Sequence, residues 1–267
     1  MVFTDLDGTL LDRVTYSYTL ALPALRLLQR KKIPVVFCSS KTRAEQEAYR
    51  KELGISGPFI VENGGAIFIP RHYFSFPFDY HRAWDKFLII ELGISYEEIR
   101  QSLGKIRDEG NFRFRGFGDM SIEEVAVATG LTLEAARRAK AREYEETVRF
   151  EGSSEEIEEA LNSIKKAGLN YVYGGRYYGV MGPNDKGKAT SMLIELFCKK
   201  MGQVKTIGIG DSLNDLPMLS VVDIPILVQA PDKYWENVNL PHLYKIPGVG
   251  PEGWSRAIQQ ILGEQVD

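Results

Sequence analysis

The chain has 267 residues, of which 44% are hydrophobic and 26% are charged, and its formal net charge at pH 7 is −3. No stretch approaches the roughly 20 consecutive apolar residues that span a bilayer, and a negative balance argues against nucleic acid, which generally binds to a basic face. We therefore expect a soluble protein without a membrane or nucleic-acid partner. Its length suits one large α/β domain, or a main domain carrying a smaller one.

The first residues and the cysteines bear on the compartment. Met1 to Thr4 lead straight into Asp5, without the basic leader and apolar run of a secretory signal, so a cytoplasmic location is expected. Only Cys38 and Cys198 are present, and they lack metal-ligand spacing. Both lie in apolar segments, which predicts buried, reduced thiols and no disulfide.

Short apolar runs alternate with segments of helical period in the first part of the chain, which favours an α/β fold with a parallel sheet. The predicted elements are a strand at Met1–Thr4, a helix at Leu20–Gln29, a strand at Ile33–Cys38, a helix at Arg43–Leu53 and a strand at Phe59–Val61. This order is that of an open sheet with crossover helices.

The alternation breaks from about Tyr80 to Met181 and resumes after Gly182. The interrupting segment is predicted to hold a strand at Phe87–Ile90, a helix from Tyr96, a strand at Phe112–Arg115 and several charged helices, two of them opened by capping boxes at Ser121 and Ser153. The pattern then predicts a helix at Gly187–Lys200, a strand at Thr206–Ile209, a helix near Leu216 and a strand at Ile224–Val228. We therefore predict a Rossmann-like parallel-sheet core, residues 1–80 and 183–267, with an inserted α/β cap domain, residues 81–182.

Two carboxylates follow the first predicted strand. Asp5 and Asp7 stand two residues apart, so they begin on one face, and Gly8 lets the chain turn after them. Ligands of open α/β sheets bind at the carboxyl ends of the strands. Alone, however, this Asp-x-Asp-Gly pattern is as typical of a simple turn as of a site.

Three further groups of polar residues fall at corresponding places in the predicted sheet. Ser39 ends the second strand, and either it or Ser40 is equally suited to capping the next helix. Asp211, Asn214 and Asp215 follow a later strand and offer the hard oxygen ligands that magnesium prefers. Residues Asn184 to Lys188 open the helix before that strand, so a lysine of this segment can reach a phosphate at the sheet edge. In a parallel sheet these groups converge on one point.

The order of these motifs resembles that of the haloacid dehalogenase superfamily, in which an Asp-x-Asp-x-Thr strand end, a Ser/Thr strand end, a Lys and a late Gly-Asp-x-x-x-Asp form the active site. Here they correspond to Asp5 to Thr9, Ser39, Lys186, and Gly210 to Asp215. The resemblance implies that Asp5 attacks phosphorus and that Asp7 is the general acid and base. Ser39 and Lys186 would hold the phosphoryl oxygens. Lys188 is the alternative lysine, but Lys-Gly-x-Ala is the family pattern and Lys186 fits it.

The same resemblance implies a magnesium ion. The Asp5 carboxylate, the Asp7 backbone carbonyl and the Asp211 carboxylate would bind it, with Asn214 and Asp215 in support. A cation is also required physically, because an anionic carboxylate cannot approach an anionic phosphate until positive charge offsets the repulsion.

More specific stretches, above all Ser39 to Glu45, Glu62 to Gly65, Arg142 to Tyr144 and Gly174 to Tyr178, resemble the mannosyl-3-phosphoglycerate phosphatases, nearly end to end. One departure is Gly179, where relatives often carry a larger polar residue. The implied substrate is a phosphorylated sugar that also bears a carboxylate, which calls for additional cations. The candidate substrate-binding residues are Ser40, Lys41, Thr42, Arg43, Glu62, Asn63, Arg113, Arg115 and Arg176.

Several of these residues, and the activity itself, have alternative interpretations. Arg113 and Arg115 alternate along a strand and suit plain solvent-exposed charge equally well, and Glu62 and Asn63 suit a turn before two glycines. The enzyme alternatives are a phosphatase of another sugar phosphate or of glucosyl-3-phosphoglycerate, or a phosphosugar mutase. A non-catalytic phosphosugar-binding protein is remote, because the acid/base residue Asp7 is present. The oligomeric state is not predicted.

Overall fold

The computed structural model describes residues 1–263. Its first elements are β1 (Val2–Thr4), α1 (Leu22–Arg30), β2 (Val35–Phe37), α2 (Arg43–Leu53), β3 (Phe59–Val61), β4 (Ala66–Pro70), β5 (Arg82–Trp84) and β6 (Phe87–Glu91). The middle part holds α3 (Tyr96–Gly110), β7 (Phe114–Gly116), α4 (Ile122–Thr129), α5 (Leu133–Ala139), β8 (Glu145–Phe150), α6 (Ser154–Lys166), β9 (Asn170–Tyr173) and β10 (Tyr178–Met181). The last part holds α7 (Lys186–Met201), β11 (Ile207–Gly210), α8 (Leu216–Leu219), β12 (Ile224–Gln229), β13 (Tyr244–Val249) and α9 (Pro251–Leu262).

A five-stranded parallel sheet forms the centre of the molecule, in the order β13-β12-β11-β1-β2. Thr4 pairs with Phe37 on one side and with Ile209 on the other, so the carboxyl ends of β1, β2 and β11 lie side by side. Apolar side chains cover both faces of this sheet, with Trp254 of α9 on one and Phe197 of α7 on the other. The predicted fold class, a parallel-sheet α/β core with further α/β structure inserted, is confirmed.

The fully buried Trp254 is tied to the first strand by a polar contact as well as by packing. Its indole Nε1–H donates to Thr4 Oγ1 at 3.0 Å. A buried indole N–H needs such an acceptor to avoid a desolvation cost of about 1–3 kcal/mol. The bond fixes α9 against the residue that precedes Asp5.

A second sheet is antiparallel, in the order β3-β4-β6-β5, and a bridge between Cys38 and Ile60 joins it to β2. The segment 82–91 lies within the predicted cap domain; in the structure β6 pairs with β4, and β5 pairs with β6, so both strands belong to this second sheet. The division into core and cap domains itself stays a prediction.

Residues 94–181, called the cap region below, contain the third sheet, in the order β7-β8-β10-β9. Helices α3 and α6 pack on one of its faces through Ile99, Leu103, Leu161 and Ile164. The capping boxes predicted at Ser121 and Ser153 are present, each with a glutamate three residues later. The alternating pattern of β8 thus buries one face under helices and turns the other toward the core.

Two further predictions concern membrane-spanning helices and the state of the two cysteines. Within residues 1–263 no helix is long and apolar enough to cross a membrane. Cys38 and Cys198 are both free thiols, as predicted. Cys38 is buried, but Cys198 is only partly buried, because it lies near the end of α7, where the helix meets solvent.

Candidate active site

The candidate active site lies at the carboxyl edge of the parallel sheet. Asp5 directly follows β1, and its backbone N–H donates to the Ile209 carbonyl of β11 at 3.0 Å. Ser39 lies two residues beyond β2, and Asp211 directly follows β11. The sheet therefore brings together side chains that are up to about 200 residues apart in sequence.

Lys186 is the first residue of α7 and lies between two of the carboxylates. Its Nζ is 2.7 Å from Asp5 Oδ1 and 2.6 Å from Asp215 Oδ1, and all three side chains are buried. Lys188, the alternative, is 60% exposed and bonds the Pro183 carbonyl and Asp185. The structure therefore brings Lys186, and not Lys188, to the carboxylates.

Three carboxylates form a compact, buried acidic cluster. Oxygen atoms of Asp5, Asp211 and Asp215 all lie within 4.8 Å of one another, an arrangement that suits a hard divalent cation. Asp211 accepts the Thr9 hydroxyl at 3.0 Å, and Asp215 Oδ2 accepts the Asp211 backbone N–H at 3.0 Å. These bonds hold the cluster in place. Gly8 also contributes, because a Cβ there would lie 2.6 Å from Asp211 Oδ2.

Asn214 was predicted to support the metal. Its Oδ1 accepts the Ser212 hydroxyl at 2.6 Å, within the turn that also positions Asp215. Its role toward a metal stays a prediction.

Crowding of acidic groups shifts the proton affinities in the cluster. Burial raises the pKa of Asp5 to about 7; the Lys186 ammonium opposes this rise, and the neighbouring Asp215 and Asp7 add to it. Burial raises the pKa of Asp211 as well, and the neighbouring Asp215 and Asp5 add to this rise. Burial disfavours the charged form of Lys186, but Asp215 and Asp5 outweigh that effect and raise its pKa. The Lys186 ammonium thus does not fully offset the effects of burial and of the neighbouring carboxylates on Asp5 and Asp211.

Asp7 lies beside a second buried cation. Lys41 Nζ is 2.9 Å from Asp7 Oδ2 and 3.4 Å from Glu45 Oε1, and it stands 4.9 Å from the centre of the Tyr16 ring. The other oxygen, Asp7 Oδ1, is buried and has no hydrogen-bond partner among the described residues. Lys41 thus fixes Asp7 while leaving one oxygen for a reacting group.

The segment after β2 combines capping with contacts to the cap region. Ser39 is buried and its Oγ accepts the Lys41 N–H at 3.3 Å. Thr42, and not Ser39 or Ser40, caps α2, in a capping box with Glu45. Thr42 Oγ1 also lies 2.8 Å from the Arg138 carbonyl of the cap region. The backbone carbonyl of Ser40 accepts a hydrogen bond from Arg142 at 3.0 Å, and the predicted role of Ser40 in substrate binding stays a prediction.

Three of the predicted arginines do not reach the carboxylates. Arg113 and Arg115 are exposed and pair with Glu156 and Glu124 inside the cap region. The sequence alternative of solvent-exposed charge therefore describes both. Arg43 pairs with Glu47 and Glu143 and stacks on the Trp84 ring at 4.2 Å. Its contacts join the core to the cap region.

Arg176 and the Glu62–Asn63 pair lie at other contacts of the cap region. Arg176 donates to the Ala128 carbonyl, within the cap region. Glu62 and Asn63 adopt positive φ values of 47° and 53°, as the turn alternative implied. The turn is also polar and buried: Asn63 Nδ2 donates to Glu145 Oε2 at 2.6 Å.

Glu62 receives the chain where it returns from the cap region. Its carboxylate accepts the backbone N–H of Tyr144 at 2.8 Å and that of Glu143 at 3.1 Å. Burial raises the pKa of Glu62 to about 8, against the opposing effects of Arg142 and these N–H groups. The contact thus ties two parts of the chain together, and the predicted role of Glu62 in substrate binding stays a prediction.

Comparison with known proteins decides the family. A family model described as haloacid dehalogenase-like hydrolase matches residues 2–79 and 135–234, more than half of the chain, and its gap falls within the predicted insertion. The chain belongs to the haloacid dehalogenase-like hydrolase family. The predicted superfamily, and with it the prediction of a phosphoric monoester hydrolase, is confirmed at this level.

Individual relatives are close over the whole length. The chain is 49% identical over 265 residues, 99% of itself and 97% of the relative, to a glucosyl-3-phosphoglycerate/mannosyl-3-phosphoglycerate phosphatase of Methanococcoides burtonii. It is 42% identical over 229 residues, 85% of itself and 90% of the relative, to a mannosyl-3-phosphoglycerate phosphatase of Pyrococcus horikoshii. A solved structure from Thermoplasma acidophilum shares the fold, with a TM-score of 0.69, 21% identity and coverage of 98% of this chain and 97% of that one.

Two residues of this hydrolase that sequence reasoning missed lie at the junction of the core with the cap region. The side chain of Arg142 is buried, and its Nη1 lies 3.0 Å from both the Ser40 carbonyl and Glu145 Oε1. Arg13 contacts Asp211 and the Gly174 carbonyl. Arg142 stood within one of the stretches quoted for the resemblance, but no local pattern marks Arg13.

Proposed function

We propose that this protein is a magnesium-dependent phosphatase that hydrolyses mannosyl-3-phosphoglycerate to mannosylglycerate and phosphate through an aspartyl-phosphate on Asp5. One observation carries the proposal. A buried lysine and three buried carboxylates meet at the carboxyl edge of the sheet, with Lys186 Nζ 2.7 Å from Asp5 and the three carboxylates within 4.8 Å of one another.

The donor set fits a magnesium ion. Asp5, Asp211 and Asp215 offer carboxylate oxygens without any sulfur or imidazole ligand in the same cluster, which favours a hard cation. We assign the Asp5 and Asp211 carboxylates and the Asp7 backbone carbonyl as ligands, with Asn214 and Asp215 in support. When bound, the ion offsets the repulsion between the Asp5 carboxylate and an anionic phosphate.

In the first half of the reaction an Asp5 oxygen attacks phosphorus, and the bond from phosphorus to the leaving oxygen breaks. Lys186 and the Ser39 hydroxyl hold phosphoryl oxygens, and Asp7 gives its proton to the leaving alkoxide. In the second half Asp7 takes a proton from water, which attacks phosphorus and frees Asp5. The unpartnered Asp7 Oδ1 supports this acid and base role.

The substrate assignment rests on the relatives and on the cations near the site. Lys41 lies in the segment after β2 and the buried Arg142 side chain contacts that segment, so both place positive charge there for a substrate that carries phosphate and carboxylate. Because the Methanococcoides burtonii relative is named for both glycosides, we include glucosyl-3-phosphoglycerate as a second substrate.

The test is phosphate release from a substrate panel with and without Mg²⁺. We expect mannosyl- and glucosyl-3-phosphoglycerate to give the highest kcat/KM, and EDTA to abolish turnover. Sucrose phosphate or simple hexose phosphates turned over far better would show the substrate to be wrong. Isomerised sugar phosphate in place of free phosphate, after adding a sugar bisphosphate, would indicate a mutase.

The nucleophile is tested by Asp5→Asn, which keeps the side chain's size and an oxygen for Lys186. We expect kcat to fall by several orders of magnitude while the circular dichroism spectrum is unchanged. Appreciable turnover by a clean preparation of this variant would contradict the mechanism.

A further inference from the structure

Arg13, in the loop that follows the first motif, touches two different parts of the molecule at once. Its Nη1 lies 3.5 Å from Asp211 Oδ2, and its Nη2 donates to the Gly174 carbonyl at 2.7 Å. Gly174 belongs to the cap hairpin, which we define as β9, β10 and the turn between them, residues 170–181. A guanidinium can make both contacts because its donors are held in a planar fork.

The backbone conformation of the loop that carries Arg13 and that of the cap hairpin both favour this contact. Asp12 Oδ1 accepts the N–H groups of Val14 at 3.1 Å and Thr15 at 2.7 Å, so the loop that carries Arg13 is held in a defined turn. On the other side, Gly175 has a φ of +86°, and a Cβ there would lie 2.8 Å from Arg13 Nη2. A glycine is thus required where the hairpin receives the guanidinium.

We propose that Arg13 is a positioning residue that couples occupation of the metal site to the docking of the cap hairpin. The inference rests on the metal site of the proposed function. A divalent cation at Asp211 competes for the carboxylate and repels the guanidinium, so Arg13 loses one of its two anchors and its hold on Gly174 weakens. By linkage, the docked hairpin lowers the affinity for the cation to the same extent.

The experiment measures Mg²⁺ binding by calorimetry and amide exchange of the cap hairpin by mass spectrometry, both on the full chain. In the wild type, Mg²⁺ should speed exchange in residues 170–181. In Arg13→Gln the hairpin should exchange quickly with or without Mg²⁺. The variant should also bind Mg²⁺ about two- to fivefold more tightly, which is the scale expected for a partly exposed ion pair.

Two further variants separate the coupling from a general effect of charge or stability. Arg13→Lys keeps the charge near Asp211 but cannot span both contacts, so its Mg²⁺ affinity should stay within about twofold of the wild type while the hairpin no longer responds. Arg137 is 66% exposed and pairs with Glu134 on its own helix. Arg137→Gln removes the same charge and should leave both measurements unchanged.

The proposed coupling, but not the metal site, would be overturned if Arg13→Gln bound Mg²⁺ with the affinity of the wild type. The same holds if amide exchange in the cap hairpin of the wild type did not change with Mg²⁺. Failure of the wild type to bind Mg²⁺ would overturn the proposed metal site and the coupling with it. Increased affinity in Arg13→Gln, combined with loss of the Mg²⁺ response, supports the proposal.

Discussion

Lys186 is the positive charge that contacts the acidic cluster most closely. Its removal should show how much the clustered carboxylates lower the free energy of unfolding. Its ammonium lies 2.7 Å from Asp5 and 2.6 Å from Asp215 in a fully buried setting. Lys186→Met replaces it with an apolar chain of similar length. Among residues 1–263 the carboxylates of the cluster then keep Arg13 alone as an ion-pair partner, at 3.5 Å from Asp211 and partly exposed.

Removing one partner of a buried ion pair typically costs about 3–5 kcal/mol, because the other charge is left uncompensated. We expect a loss of this size in the free energy of unfolding at pH 8 in EDTA. The loss should be smaller at pH 5.5. The pKa of Asp5 is already raised to about 7, and without Lys186 it rises further, so at pH 5.5 Asp5 is protonated and Lys186 has less negative charge to offset.

The assay is urea unfolding in EDTA at pH 5.5 and pH 8, followed by titration with Mg²⁺. The cation should restore part of the lost stability, by about 2.7 kcal/mol at a concentration of 100 times its Kd. Lys188→Met is the matched control, because Lys188 is 60% exposed; it should change stability by less than about 0.5 kcal/mol.

A Lys186→Met protein as stable as the wild type in EDTA at pH 8 would refute the reasoning. So would a loss of the same size at both pH values, since the penalty is attributed to carboxylate charge. A loss that Mg²⁺ does not reduce would contradict the assignment of the cluster to a cation.

Three other outcomes are expected. Gly8→Ala should weaken Mg²⁺ binding in calorimetry, because its Cβ would lie 2.6 Å from Asp211 Oδ2, while Gly104→Ala, where nothing lies within 4 Å, should stabilise α3 by about 0.5–1 kcal/mol. Native protein should expose at most one thiol to a disulfide reagent and two after denaturation, because burial raises the pKa of the Cys38 thiol to about 12. An acidic group whose pKa is higher in the folded than in the unfolded protein contributes its full stabilisation at pH values below its unfolded pKa. That contribution is lost as the pH rises through its folded pKa. Since the pKa of Glu62 is raised from 4.5 to about 8, wild-type stability should fall with pH across that window by up to about 1.4 kcal/mol per unit relative to Glu62→Gln, as measured by urea unfolding.

The centre of the site was predictable from sequence because parallel topology alone brings strand ends together. Once the strands before Asp5 and Asp211 are recognised, their carboxylates must share one edge of the sheet. Lys186 could be preferred over Lys188 only through the family pattern. The structure adds the physical difference, since the first residue of α7 is buried against the sheet and the third is exposed.

The contacts of the cap region could not be predicted in the same way. Arg13 and Gly174 are 161 positions apart, and Ser40 and Arg142 are 102 apart, with no periodicity linking them. Arg113 and Arg115 are exposed and pair within the cap region, so their role toward the substrate stays a prediction. An alternating strand pattern identifies two faces but does not say which partner each face meets.

The place of β1 in the sheet has a consequence for how the enzyme is made. Val2 pairs with Val35 on one side, but on the other with Ile207, which leaves the ribosome long afterwards. The strand that leads into Asp5 therefore stays paired on one side only through most of synthesis, and Trp254 packs against it later still. Phosphatase activity during translation should thus appear abruptly, near the end, and not grow with chain length.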